Sequence, residues 1–168
     1  TIMKFDGIQS GLIVKGTIDI NGTNLNQVIF TSIKDDNFGG DTNGDSTNTS
    51  AASGDWDGIY LNGYLTYQGI GEFDWCTIRY GGYQFGDDKS NVNFHYSDSG
   101  HFINSISEYS TEEALKTTQC SPPINNSTFG NSNNYGIYCN TYNGTITQNI
   151  FSGNGNDGLY IIGAVSYT

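Results

Sequence analysis

Between Asp35 and Asp57 the chain places six of its 17 acidic residues, with Lys34 the only nearby cation. Within that stretch Asp41, Asn43 and Asp45 alternate, so a tight loop turns three side-chain oxygens towards one point, and Thr47 stands where its backbone carbonyl adds another. Hard oxygen donors in such an arrangement suit Ca²⁺. An EF-hand would also need Gly at the sixth loop position and Glu at the twelfth; those positions hold Ser46 and Ala52, so the expected site is not an EF-hand. Its remaining ligands are expected from Asp35 and Asp36, with Asp55 and Asp57 behind them. So many like charges are costly to fold without a counter-ion. A loop of this length also needs an ordering device. A structural Ca²⁺ holding an insertion over residues 34–57 meets both needs. Gly153-Asn-Gly-Asn-Asp-Gly158 echoes a Gly-rich Ca²⁺-binding repeat, but that site needs tandem copies and there is no second one, so it reads as a turn.

Other residues could do acid–base work, but their spacing gathers none of them. The sole Arg is Arg79, and the two histidines are His95 beside Tyr96 and His101 near Asp98. In the alternating run Val92-Asn-Phe-His-Tyr, His95 points away from Val92, Phe94 and Tyr96, which makes it an exposed-face residue. Glycoside hydrolysis would need two carboxylates facing one another across a groove. Asp74, Glu108, Glu112, Glu113 and Asp157 are available, although no pattern pairs them, and Glu112 and Glu113 after Ser110-Thr111 read as the start of a short helical turn. No catalytic triad, phosphate loop or dinucleotide fingerprint rises above the Gly background. For binding, Tyr60, Tyr64 and Tyr83, and with them Tyr67 and Tyr138, offer rings that stack on sugars if they face outward.

Strands are the elements that must position these residues. Twelve Tyr, nine Phe and two Trp are too many for a disordered chain, so the abundant Gly, Asn and Ser read as turns between many short strands. Shifting the sequence by 22 superposes Ile124 on Ile146, Phe129 on Phe151, Asn134 on Asn156, and Gly136-Ile-Tyr on Gly158-Leu-Tyr. One further step back puts Leu115 under Ile137 and Asn104 under Asn126, while Ile106 meets Phe129 only after a one-residue slip. A unit this short has no room for two helices and shows no helical stripe, so the period implies an all-β solenoid in which each coil buries its neighbour's inner face. The fold expected is a right-handed parallel β-helix of about 22 residues per coil, forming one domain over residues 1–168 with a long acidic loop insertion. Thr1 follows no targeting segment, and both ends look like those of a piece of something longer.

A formal charge of −11 disfavours a nucleic-acid partner, and no apolar run of spanning length is present. Cys76, Cys120 and Cys139 lack metal-site spacing and read as buried thiols, with a disulfide through Cys120 left open. Sequons at Asn21, Asn48, Asn125, Asn126 and Asn143 suit a secreted protein.

The segments Val28-Ile-Phe-Thr-Ser-Ile-Lys-Asp-Asp-Asn-Phe-Gly-Gly-Asp-Thr-Asn-Gly-Asp45, Gly54-Asp-Trp-Asp-Gly-Ile59 and Cys76-Thr-Ile-Arg-Tyr-Gly-Gly82 resemble bacterial and archaeal cell-surface proteins with right-handed parallel β-helix repeats. Phe129-Gly-Asn-Ser-Asn-Asn-Tyr-Gly-Ile-Tyr is similar to the generic repeat of pectate-lyase-like solenoids. The resemblance implies the fold and an extracellular or cell-surface location; such proteins seldom have an assigned activity. This chain departs from it at Ser46, where the others carry Gly. The expectation is a non-catalytic surface module, structural or glycan-binding, with a structural Ca²⁺ and with polysaccharide, neighbouring domains or head-to-tail copies as partners. The alternative is a fragment of a carbohydrate-active β-helix enzyme.

Overall fold

The computed structural model describes residues 1–86 and 88–163, so residues 164–168 of the expected domain lie outside the described residues. Strands follow one another in a three-beat cycle. The first coil is β1 (Ile2–Phe5), β2 (Gly11–Val14) and β3 (Thr17–Asn21); the second is β4 (Val28–Ser32), β5 (Gly58–Asn62) and β6 (Ile70–Asp74). The third is β7 (Cys76–Arg79), β8 (Val92–His95) and β9 (Gly100–Ile103); the fourth is β10 (Ile106–Glu108), β11 (Leu115–Thr118) and β12 (Ile124–Asn125). The fifth is β13 (Thr128–Gly130), β14 (Ile137–Asn140) and β15 (Ile146–Thr147), and β16 (Ile150–Ser152) and β17 (Leu159–Ile162) begin a sixth. First strands pair only with first strands, second with second and third with third, which gives three sheets of six, six and five strands. Every ladder between named strands is parallel. The chain is therefore a parallel β-helix. No helix among the described residues is long and apolar enough to cross a membrane.

Alternation along each strand sends one row of side chains inward, and the register stacks those rows. On the second sheet Ile59, Val92, Leu115, Ile137 and Leu159 form one inward column, and Leu61, Phe94, Thr117, Cys139 and Ile161 another. Phenylalanines run down the axis, with ring centroids 5.6 Å apart for Phe73–Phe102, 5.4 Å for Phe102–Phe129 and 5.8 Å for Phe129–Phe151. All three cysteines are buried and unpaired, so the disulfide left open through Cys120 is not formed; burial pushes the Cys76 and Cys139 thiols up to about 12 and Cys120 to about 11.

Leu115 pairs with Ile137 and Ile137 with Leu159, each 22 residues on, as expected. The one-residue slip is not found. Ile106 pairs with Thr128 and Ser107 with Phe129, because Ser107 takes the inward position and donates to the Ala114 carbonyl at 2.7 Å. Polar side chains between coils continue the period: Ser105 N–H donates to Ser127 Oγ at 3.1 Å, Ser127 N–H to Asn149 Oδ1 at 2.9 Å, and Asn126 Nδ2 to Asn104 Oδ1 at 2.5 Å.

The corners bend through the left-handed region. Trp75, Asn104, Asn126 and Gln148 turn the chain from the third sheet to the first, with φ between 51° and 56°. Tyr80, Tyr109 and Asn131 follow the first sheet, and Tyr96, Gln119 and Thr141 the second. This corrects the reading of Tyr96. Its φ of 53° breaks the alternation, so the ring turns outward, 39% exposed, instead of following Phe94 into the core. Glu112 and Glu113 open no helical turn either; they lie in a bend, and Glu113 is buried with Oε1 accepting from Asn134 Nδ2 at 2.8 Å.

Candidate functional site

Two long connections interrupt the stack, and both leave the first sheet for the second. Residues 33–57 join β4 to β5, and residues 80–91 join β7 to β8 in the next coil. They lie against one another: Asp55 N–H donates to the Tyr80 carbonyl at 3.0 Å, Gly54 N–H to Gly81 at 3.0 Å, and Tyr83 N–H to Trp56 at 2.9 Å. Trp56 anchors the pair. It is fully buried, stacks on Phe5 at 4.0 Å and donates Nε1–H to the Arg79 carbonyl at 2.8 Å. Gly58 beside it has φ +107°, and a Cβ there would lie 2.6 Å from the Ser90 carbonyl oxygen, which explains Gly in Asp-Trp-Asp-Gly-Ile.

Within the first connection the carboxylates have separate duties. Asp35 is buried; it accepts from Thr31 Oγ1 at 2.6 Å and from Asn37 N–H and Nδ2, and it lies 3.8 Å from Arg79 Nε. Asp55 ties the two ends together, accepting from Ser32 Oγ at 2.7 Å and pairing with Lys34 Nζ at 2.8 Å. Much of the expected repulsion is thus met by Lys34 and Arg79. Asp41 accepts from the N–H groups of Gly44, Asp45 and Ser46 at 2.7, 3.2 and 2.8 Å; the Ser46 bond leads in holding its carboxyl below the ordinary value, with burial acting against it.

Asn43 Nδ2 donates to Asp45 Oδ2 at 3.0 Å, so Asp41, Asn43 and Asp45 do share one loop. Four oxygens of this connection are shielded from solvent and accept no hydrogen bond: Asp36 Oδ1, Asn43 Oδ1, Asp45 Oδ1 and, at its far end, Asp57 Oδ1. Asp36 and Thr47 both line a concavity of about 220 Å³ with Thr49 and Tyr80. Among the described residues no three acidic, His or Cys side chains converge tightly enough to hold a metal by themselves. Asp36, Asn43 and Asp45 thus offer free oxygens of the kind a hard cation takes, whereas those of Asp35 and Asp41 are engaged by Thr31, Asn37 and backbone N–H groups.

The outward face of the second sheet carries the aromatics. Register aligns Ile13, Tyr60, Asn93, Lys116, Tyr138 and Tyr160 in one row, with Asn62 beside His95 in the next. Tyr60 lies 5.6 Å from Phe85 and 5.4 Å from His95, and Tyr64 lies 6.1 Å from His95 and 5.0 Å from Tyr96. Two of the three expected tyrosines, Tyr60 and Tyr64, are thereby joined through an imidazole. Tyr83 sits apart on the second connection, beside Trp56. Ile13, Lys15, Tyr60, Asn62, Phe85 and Gly86 line an open cleft of about 380 Å³, with Lys15 Nζ 4.5 Å from the Tyr67 ring centroid. Partial burial raises the Tyr60 phenol to about 12, with Asp88 contributing, so it stays a hydrogen-bond donor; burial lowers His95, leaving the ring neutral near pH 7.

Phe85, Lys15 and Asn62 carried no sequence signal as site residues. Phe85 lies in a stretch with no counterpart one period away, and only the register shows Asn62 next to His95. His101 pairs with Asp74 at 2.7 Å, across the β6–β9 ladder, and not with Asp98. The sequon residues Asn21, Asn48, Asn126 and Asn143 are exposed, and Asn125 is half-buried. Comparison with family models, with curated proteins and with solved structures returns no match.

Proposed function

We propose that this chain is a non-catalytic, extracellular or cell-surface β-helix module that binds glycan chains on the outward face of its second sheet. The observation that carries this reading is the cluster of Tyr60, Phe85, His95, Tyr64 and Tyr96 around an open cleft whose polar groups are Lys15, Asn62 and the Tyr60 hydroxyl. A flat apolar floor with hydrogen-bonding groups at its edge suits the face and rim of a pyranose ring. The cell-surface resemblance and the exposed sequons agree with that location. In the same reading, Asp41, Asn43, Asp45, Asp36 and Thr47 hold a structural Ca²⁺, whose role is to neutralise and fix the first connection. The partnerless oxygens of Asn43, Asp45 and Asp36 support it.

Calorimetric titration with a panel of neutral and acidic oligosaccharides tests the proposal. At least one class binds, and Tyr60→Ala weakens it about tenfold, the equivalent of a lost stacking contact. A panel on which no member binds, or on which Tyr60→Ala binds as the parent does, overturns it. The same mixtures, assayed for new reducing ends or unsaturated products, test the enzymatic alternative, and turnover would replace the binding reading.

A further inference from the structure

The second connection, residues 80–91, meets the outward row of the second sheet at Asp88. The antiparallel bridge between Phe85 and Asp88 brings Asp88 over the outward row of the second sheet, where its carboxylate pairs directly with Lys116 Nζ. Both side chains are about four-fifths shielded, at 20% and 21% exposure. Lys116 Nζ also lies 5.6 Å from the Tyr138 ring centroid, and its register neighbour across the ladder is Asn93. Asn93 is 1% exposed, and neither its Nδ2 nor its Oδ1 has a partner. An amide buried without hydrogen bonds in a stable fold calls for an explanation. Glu113, three residues before Lys116, is buried as well.

We propose that Lys116 and Asp88 condense into an intramolecular amide, with Glu113 relaying the proton and Asn93 Nδ2 donating to the oxygen that becomes negative during the reaction. The step begins with transfer of a proton from the Lys116 ammonium to the Asp88 carboxylate, giving an amine and a carboxylic acid. The amine lone pair attacks Asp88 Cγ and forms the C–N bond. Glu113, entering as the neutral acid, gives its proton to one Asp88 oxygen, which leaves as water when that C–O bond breaks. Glu113 then takes the proton shed by the nitrogen and is restored. One ammonium and one carboxylate become one amide and one water, with no oxidation or reduction.

Desolvation drives the step toward its neutral product, against the charge state of the starting pair. Burial opposes the Lys116 charge but Asp88 outweighs it and holds the ammonium form, which makes the opening proton transfer the uphill part of the step, and burial raises Glu113 above its ordinary value. A shielded ion pair carries a desolvation cost that a neutral amide does not. The product has a structural use too: the three thiols are unpaired, so no disulfide ties the second connection down, whereas this bond would.

Intact-mass measurement of the purified, denatured chain reads the outcome directly, whatever the variants do to folding. The parent is expected to be lighter than its sequence by one water, and peptide mapping places the loss on a branched pair of peptides joined through Lys116 and Asp88. Lys116→Arg and Asp88→Ala restore the full mass, and Glu113→Gln forms the bond roughly a hundredfold more slowly, the scale of a lost general acid–base group. A parent of full sequence mass overturns the proposal. So does a water loss that survives Lys116→Arg, and parent-like kinetics in Glu113→Gln remove Glu113 from the step.

Discussion

His95 shows how one residue's surroundings set its chemistry. Its ring is pressed between Tyr60 and Tyr96, and its Nδ1 is shielded without a partner. Burial disfavours the protonated form, more strongly than the Asp88 charge favours it. The unfolded chain therefore takes up a proton near the ordinary value of 6.5, and the folded chain only at lower pH. His95 stability is full above that ordinary value and declines as pH falls through it. Urea unfolding of the parent and of His95→Gln at several pH values checks this: between pH 7 and pH 5 the parent loses more stability than the variant. The sequence already showed that His95 points away from Val92 and Phe94, since alternation is a local rule. It did not show the neighbours, because Tyr60 reaches His95 through the stacking of coils and Tyr64 through an irregular turn. His101 illustrates the same limit, since Asp98 is near in sequence but Asp74 is near in the sheet.

At the scale of elements, coil length decides what can be read. From Phe102 onward each residue's partner lies 22 positions away, as in Phe102 with Ile124 and Ile124 with Ile146, so self-comparison finds the strands. Earlier coils hide their period. Ile59 pairs with Val92 and Leu12 with Ile59, across offsets stretched by the two long connections, although the inward columns continue unbroken. The acidic stretch was visible by charge, whereas the division of its acids among Arg79, Lys34 and backbone N–H groups depends on the fold. If a Ca²⁺ organises the first connection, mass action stabilises only the state that binds it. Saturating Ca²⁺ then raises the melting temperature by about 5 °C over a chelated sample. Asp45→Ala abolishes that difference, and an equal shift in parent and variant counts against the site.

Across the whole molecule, stability is expected to grade from the middle outwards, because each coil is supported only by its neighbours. β8 and β11 bury inward residues completely, while the inward Leu12 of β2, Phe151 of β16 and Leu159 of β17 are only partly buried. Amide hydrogen exchange followed by mass spectrometry should find β5, β8 and β11 slowest and β2, β16 and β17 fastest. Uniform protection would contradict the graded picture.

Both long connections spring from the corner between the first and second sheets, in consecutive coils, while the fourth and fifth coils cross the same corner in six residues. The inward columns pass that corner without a break in register. What is displayed there can therefore be lengthened, shortened or replaced without repacking the interior. The solenoid acts as a spool with one open seam, where length and side chains can change without disturbing the coils wound beneath it.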